Sequence, residues 1–121
     1  MGFLGDIKFA KKYKKGIKEA IGGNFNEAIS LFDEVFLYAS DLKLQGEGLI
    51  WLHICKALKY AKGGDFISGK KEYQEYLFAI KDYIELCNLT PGIGTETRVN
   101  VWKNKIKEFL TIYYKQIDLL K

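Results

Sequence analysis

"GGNFNEAISLF" begins at Gly22 and "GGDFISGKKEY" begins at Gly63, 41 residues later. In both places a glycine pair follows one apolar helical pattern and precedes another. Glycine ends helices because it adopts left-handed backbone at little cost. An Asn or Asp just after it suits the start of the next helix. The same interruption made twice points to two helix–turn–helix units in tandem.

The rest of the chain has helical periodicity, and no segment shows the strict alternation of a half-buried strand. The first segment carries Ala10, Tyr13, Ile17, Ala20 and Ile21 on one face, lysines on the other, and Asp6 as its cap. The second runs from about Asn24 to Asp41, with Phe25, Ala28, Ile29, Phe32, Val35, Phe36 and Ala39 inward, and "LQGEG" at 44–48 is expected to break it. The third runs from about Glu47 to Lys62, and the fourth from the cap Asp65 to about Cys87. "NLTPGIG" at 88–94 reads as a loop because it holds Pro91 and two glycines. Thr95 then caps a fifth helix with Val99, Trp102, Ile106, Phe109, Leu110, Tyr113, Ile117 and Leu120 on its stripe. The expectation is a single all-α domain over residues 1–121, with hairpins at 6–42 and 47–87 and a closing helix at 95–121.

Small residues match across each turn. Gly16 is set to face Ala28, and Ala57 to face Gly69, with Phe32 or Tyr73 one turn further on. A mid-helix glycine costs roughly 1 kcal/mol against alanine, so its use suggests close helix packing.

These residues resemble the tetratricopeptide repeat over about residues 9–81. Gly23, Phe25, Ala28 and Phe32 fall on that family's turn glycine, turn aromatic, small residue and following aromatic. Gly64, Asp65, Phe66, Gly69 and Tyr73 do so in the second unit. The period is 41 rather than about 34, which puts the extra residues around 37–48, and Ser40 and Lys81 stand where the family closes a repeat with proline. The resemblance implies two antiparallel hairpins and a closing helix, a fragment of a right-handed superhelix. It also implies a non-enzymatic protein-interaction module that takes a peptide or partner helix in a concave groove. By the family's register the groove residues are Tyr13, Lys14 and Ile17, then Trp51, Ile54, Cys55 and Leu58, then Asn100, Lys103, Asn104 and Lys107. Trp51 would be an apolar anchor, with an acidic flank of the partner near Lys103 and Lys107.

Charge leaves a second reading open. The net charge is +4, and residues 6–21 hold six lysines against Asp6 and Glu19, with a further basic cluster in 95–121. The alternative is a helical subunit of a nucleoprotein assembly that binds nucleic-acid backbone through the first and fifth helices. Tyr13 and Phe9 are too few aromatics among these lysines for a base-stacking platform. Self-association through the C-terminal helix is also expected, because its stripe runs on to Leu119 and Leu120.

No enzyme, cofactor or metal is expected. His53 is the one histidine, and Cys55, two residues away, points elsewhere on a helix. No Cys or His spacing suits zinc, and "PGIGTET" lacks the phosphate-loop lysine. His53, Cys55 and Cys87 read as core residues, and Glu72 and Glu75 as solvated. "MGFLGD" has no apolar run of signal-peptide length, and its Asp6 breaks the myristoylation pattern. The expected setting is cytoplasmic, without membrane contact.

Overall fold

Gly23 and Gly64 adopt φ of 85° and 84°, left-handed values that end two helices in the same way. The Gly23 N–H donates to Ala20 C=O and the Asn24 N–H to Glu19 C=O, while Gly64 donates to Ala61 and Asp65 to Tyr60. Both turns are therefore Schellman closures, one the image of the other 41 residues on.

The computed structural model describes residues 3–92 and 94–121, with side chains from Asp6 onward. Met1 and Gly2 of the opening, and Ile93 of the expected loop, lie outside the described residues. Within them every regular element is a helix: α1 (Phe3–Ile21), α2 (Phe25–Tyr38), α3 (Leu42–Lys62), α4 (Phe66–Leu89), α5 (Thr95–Ile112) and α6 (Tyr114–Asp118). The first four each pack chiefly on their sequence neighbours, α1 on α2, α2 on α3 and α3 on α4. Their connections of three residues make these neighbours antiparallel.

Several expected boundaries move, each for a visible reason. "LQGEG" is not a break, because α3 begins at Leu42 and runs through it. Its glycines serve packing instead: a Cβ on Gly46 would sit 3.1 Å from the Tyr83 ring, and one on Gly48 would sit 2.9 Å from Val35 Cγ1. The residues at 42–48, which lengthen the spacing between the two glycine turns, are thus helix rather than loop. Asp41 caps α3 by accepting from the Lys43 N–H at 2.9 Å. Asp6 lies in the first turn of α1, and its carboxylate accepts instead from the Ser40 N–H and Oγ at 3.1 and 2.7 Å. Asp65 caps α4 as expected, through the Ser68 N–H. The residue before α5 is Gly94, with φ 84°, while Thr95 Oγ1 accepts from the Gly92 N–H.

The expected fifth helix is two. Tyr113 leaves helical geometry at φ −109°, ψ 24°, and its hydroxyl donates to the Ile21 and Ala20 carbonyls at 2.9 and 3.2 Å. The break turns α6 back toward α3. Ile117 and Leu120 are buried, and Leu120 packs with Ala57, Ala61 and Tyr73. The chain itself thus covers Ile117 and Leu120 of the C-terminal stripe, while Leu119 is 57% exposed.

The small-residue crossings are close. A Cβ on Gly69 would lie 3.2 Å from the Ala57 carbonyl oxygen and 2.8 Å from Leu120 Cδ2. In the first unit the close neighbour of Gly16 is the Phe32 ring, 2.7 Å from such a Cβ. The main core joins residues of all six helices, with Phe32, Trp51, Ile54, Cys55 and Phe109 fully buried. At roughly 1.5–3 kcal/mol per buried large apolar side chain, this core dominates the stabilising side of the balance.

Candidate functional site

α5 lies across the first four helices, and aromatic rings mark its path. Trp102 packs on Tyr83 with ring centroids 5.3 Å apart, Phe109 on Trp51 at 5.2 Å, and Tyr113 on Phe25 at 5.3 Å. This placement decides what is left open on α1 and α3.

Trp51 is fully buried. Its ring stacks on Phe32, and its indole N–H donates to the Tyr13 hydroxyl at 3.1 Å. Ile54 and Cys55 are fully buried too, and Leu58 is 1% exposed. These four positions are core and cannot line a groove for a partner. By the family's register they fall on a face that α5 covers, with Phe109 against Trp51. Asn100, Lys103, Asn104 and Lys107 are exposed along α5, but they are not brought together with α3.

Tyr13, Lys14 and Ile17 do line an open groove. It runs between α1 and α5, has a volume of about 500 Å³, and is completed by Lys18, Ile21, Val101 and Lys105. Its floor is apolar, with Val101 56% exposed, and three lysines form its rim. Lys103 and Lys107 border a different groove of about 390 Å³ over Trp102, Ile106, Leu110 and Tyr114. Trp102 Nε1 is buried and has no hydrogen-bond partner among the described residues.

A polar cluster that sequence reading missed ties α5 in place. Glu47 is only 4% exposed. Its Oε2 accepts from Arg98 Nε at 2.6 Å and from the Tyr83 hydroxyl at 2.8 Å. Arg98 also donates to Asp41 at 3.0 Å. Burial opposes the Arg98 charge, but Glu47 and Asp41 outweigh it and hold its pKa above the ordinary value. Burial, then the Glu47 carboxylate, pushes the phenols of Tyr83 and Tyr13 well up. Every hydrogen-bonding role of Glu47 Oε2 is thus met within the fold, so the cluster serves as a clasp between α3, α4 and α5. One signal for it was present: Arg98 is the sole arginine, and arginine is favoured where a guanidinium must bridge partly buried carboxylates.

His53 is half-buried and not isolated. Its Nδ1 lies 2.6 Å from Glu72 Oε2, so Glu72 is not simply solvated. Burial raises the Cys55 thiol far above its ordinary range, which leaves no thiolate for chemistry. Among the described residues no group of three His, Cys, Asp or Glu side chains is placed to hold a metal ion. No helix among them is long and apolar enough to cross a membrane.

Comparison of the chain with protein-family models, curated proteins and solved structures finds no match.

Proposed function

We propose that this chain is a small, non-enzymatic protein-interaction module that takes an acidic amphipathic segment of a partner in the groove between α1 and α5. One observation carries the reading: an apolar floor of Tyr13, Ile17, Ile21 and Val101 lies open beneath a rim of Lys14, Lys18 and Lys105. Amphipathic helices dock by laying an apolar stripe into such a groove. Lysines on the rim favour acidic flanks and speed encounter, while their stems extend the apolar surface.

The architecture in this proposal is tetratricopeptide-like, with α1–α2 and α3–α4 as the hairpins and α5–α6 as the closing element. The matched Gly23 and Gly64 turns and the close approach at Gly69 support it. The groove differs from the family's usual one, because α5 fills the α3 face and opens a new channel along α1. A cytoplasmic setting belongs to the same reading.

Binding to nucleic-acid backbone is the second reading. Lys14, Lys18 and Lys105 favour it, but phosphate contacts need no apolar floor. A calorimetric titration separates the two. The probe is a synthetic helix-forming peptide with Leu at i, i+3, i+4 and i+7 and Glu between. It is compared with the same peptide with Ala for Leu, and with a single-stranded oligonucleotide. Binding of the Leu peptide alone, lost in Val101→Asp, is expected. Equal binding of both peptides, or salt-sensitive binding of the oligonucleotide only, would overturn the proposal.

A further inference from the structure

The outer face of α4 carries a second feature, independent of the groove. α4 is the longest helix, Phe66–Leu89, and it packs principally on α3 through Gly69, Tyr76, Ala79, Tyr83 and Cys87. Its opposite side holds Ile67, Phe78 and Leu89, which are 86%, 60% and 74% exposed. These three are spaced at intervals of eleven residues, close to three full turns, so they form one line along the helix. They stand about 16 Å apart with polar residues between them, so they are three separate contact points rather than one apolar patch.

The line is symmetric about its middle. Phe78 stands eleven residues from both Ile67 and Leu89. Seven residues before it is Lys71 and seven after it is Glu85, both exposed and both within about 20° of the same line. Neither forms an ion pair within the chain among the described residues. Glu75 and Asp82, also acidic, lie further round the helix.

Two copies of such a face placed antiparallel match each other. A two-fold axis at Phe78 brings ring against ring, Ile67 against Leu89 of the other copy, and Lys71 against its Glu85. An isologous contact needs this self-complementarity, in which residue i meets j and j meets i. An arbitrary partner has no reason to share the pattern. We infer that α4 is a homodimer interface, and that the occupant of its outer face is the α4 of a second copy. A single helix pair lies at the small end of specific interfaces. The α1–α5 groove lies on other helices and stays open in the dimer.

Sedimentation velocity from low micromolar to millimolar protein tests this. The wild-type chain is expected to pass from monomer to dimer. Phe78→Glu puts two carboxylates on the axis and is expected to weaken the dimer by about 100-fold or more, with circular dichroism unchanged because Phe78 is exposed. Lys71→Glu should weaken it by about tenfold, and Lys71→Glu with Glu85→Lys should restore it, since the pair is then re-formed with reversed charges. A wild-type chain that stays monomeric throughout overturns the inference. So does a dimer that survives Phe78→Glu, or a double variant no tighter than Lys71→Glu alone.

Discussion

The Trp51 indole N–H donates to the Tyr13 hydroxyl at 3.1 Å while its ring stacks on Phe32 with centroids 5.6 Å apart. Trp51 is thereby joined to α1 and α2 on one side and to Phe109 of α5 on the other. With Trp102→Phe made to isolate its signal, Trp51 emission is expected to be blue-shifted and insensitive to iodide. Tyr13→Phe leaves that indole N–H unpaired in the core and should cost about 1–2 kcal/mol. A red-shifted, quenchable Trp51 would show that α5 does not cover α3.

The clasp has a clear energetic signature. Arg98→Ala leaves the Glu47 carboxylate buried without its charged partner. Arg98 is partly open to water, with its side chain 33% exposed, so the expected loss is about 2–3 kcal/mol rather than the full cost of a buried ion pair. Glu47→Gln made together with Arg98→Ala should recover part of that loss, because the uncompensated charge is gone and Tyr83 can still donate. Urea denaturation of the two variants checks both signs.

The glycines divide by what surrounds them. Gly16→Ala drives a methyl to 2.7 Å from the fully buried Phe32 ring and should cost a few kcal/mol. At Gly69 the gain in helix propensity, roughly 1 kcal/mol, offsets a tight contact with the Ala57 carbonyl oxygen and the end of Leu120, so Gly69→Ala should be near neutral. Gly69→Leu has no room and should be strongly destabilising. Gly64→Ala meets no atom of the described residues within 4 Å, and its cost, about 1–2 kcal/mol, should come from left-handed backbone. Thermal melts of the four variants give this order or refute it.

Acid should loosen the chain at three surface contacts. Asp6 is held below its ordinary value of 3.8 by the Ser40 hydroxyl, Glu34 below 4.5 by Lys12, and Asp65 below 3.8 by Ser68. A carboxylate with a depressed folded pKa contributes stability that is present above its unfolded pKa and is lost as pH falls through the folded one. These contributions are therefore intact above about pH 5 and disappear on further acidification. Carbon-detected carboxyl titration should place all three midpoints low, and Ser40→Ala should move Asp6 back up. Ordinary midpoints would contradict the contacts.

Much of the fold can be read along the chain because its signals are local. The apolar stripes, the two glycine turns and the Asp65 cap each depend on residues within a few positions. What escaped depends on distant partners. Gly46 and Gly48 look like a turn until Tyr83 and Val35 are set against them, and no nearby residue announces that. Tyr113 breaks a helix without glycine or proline because its hydroxyl reaches Ile21, which lies 92 residues away. The apolar face of α3 was legible, but whether solvent or α5 would cover it was not. The site followed the same division. Tyr13, Lys14 and Ile17 reach the groove because α1 is amphipathic, whereas Val101 and Lys105 join them only once α5 crosses.

Amide chemical-shift mapping with the Leu-containing acidic peptide is the most direct test of the groove between α1 and α5. Perturbations are expected at Lys14, Ile17, Lys18, Ile21, Val101 and Lys105, saturating with peptide and absent in Val101→Asp. Shifts spread evenly over the lysine-rich surfaces, confined to other helices, or missing at saturating peptide would contradict the proposed site.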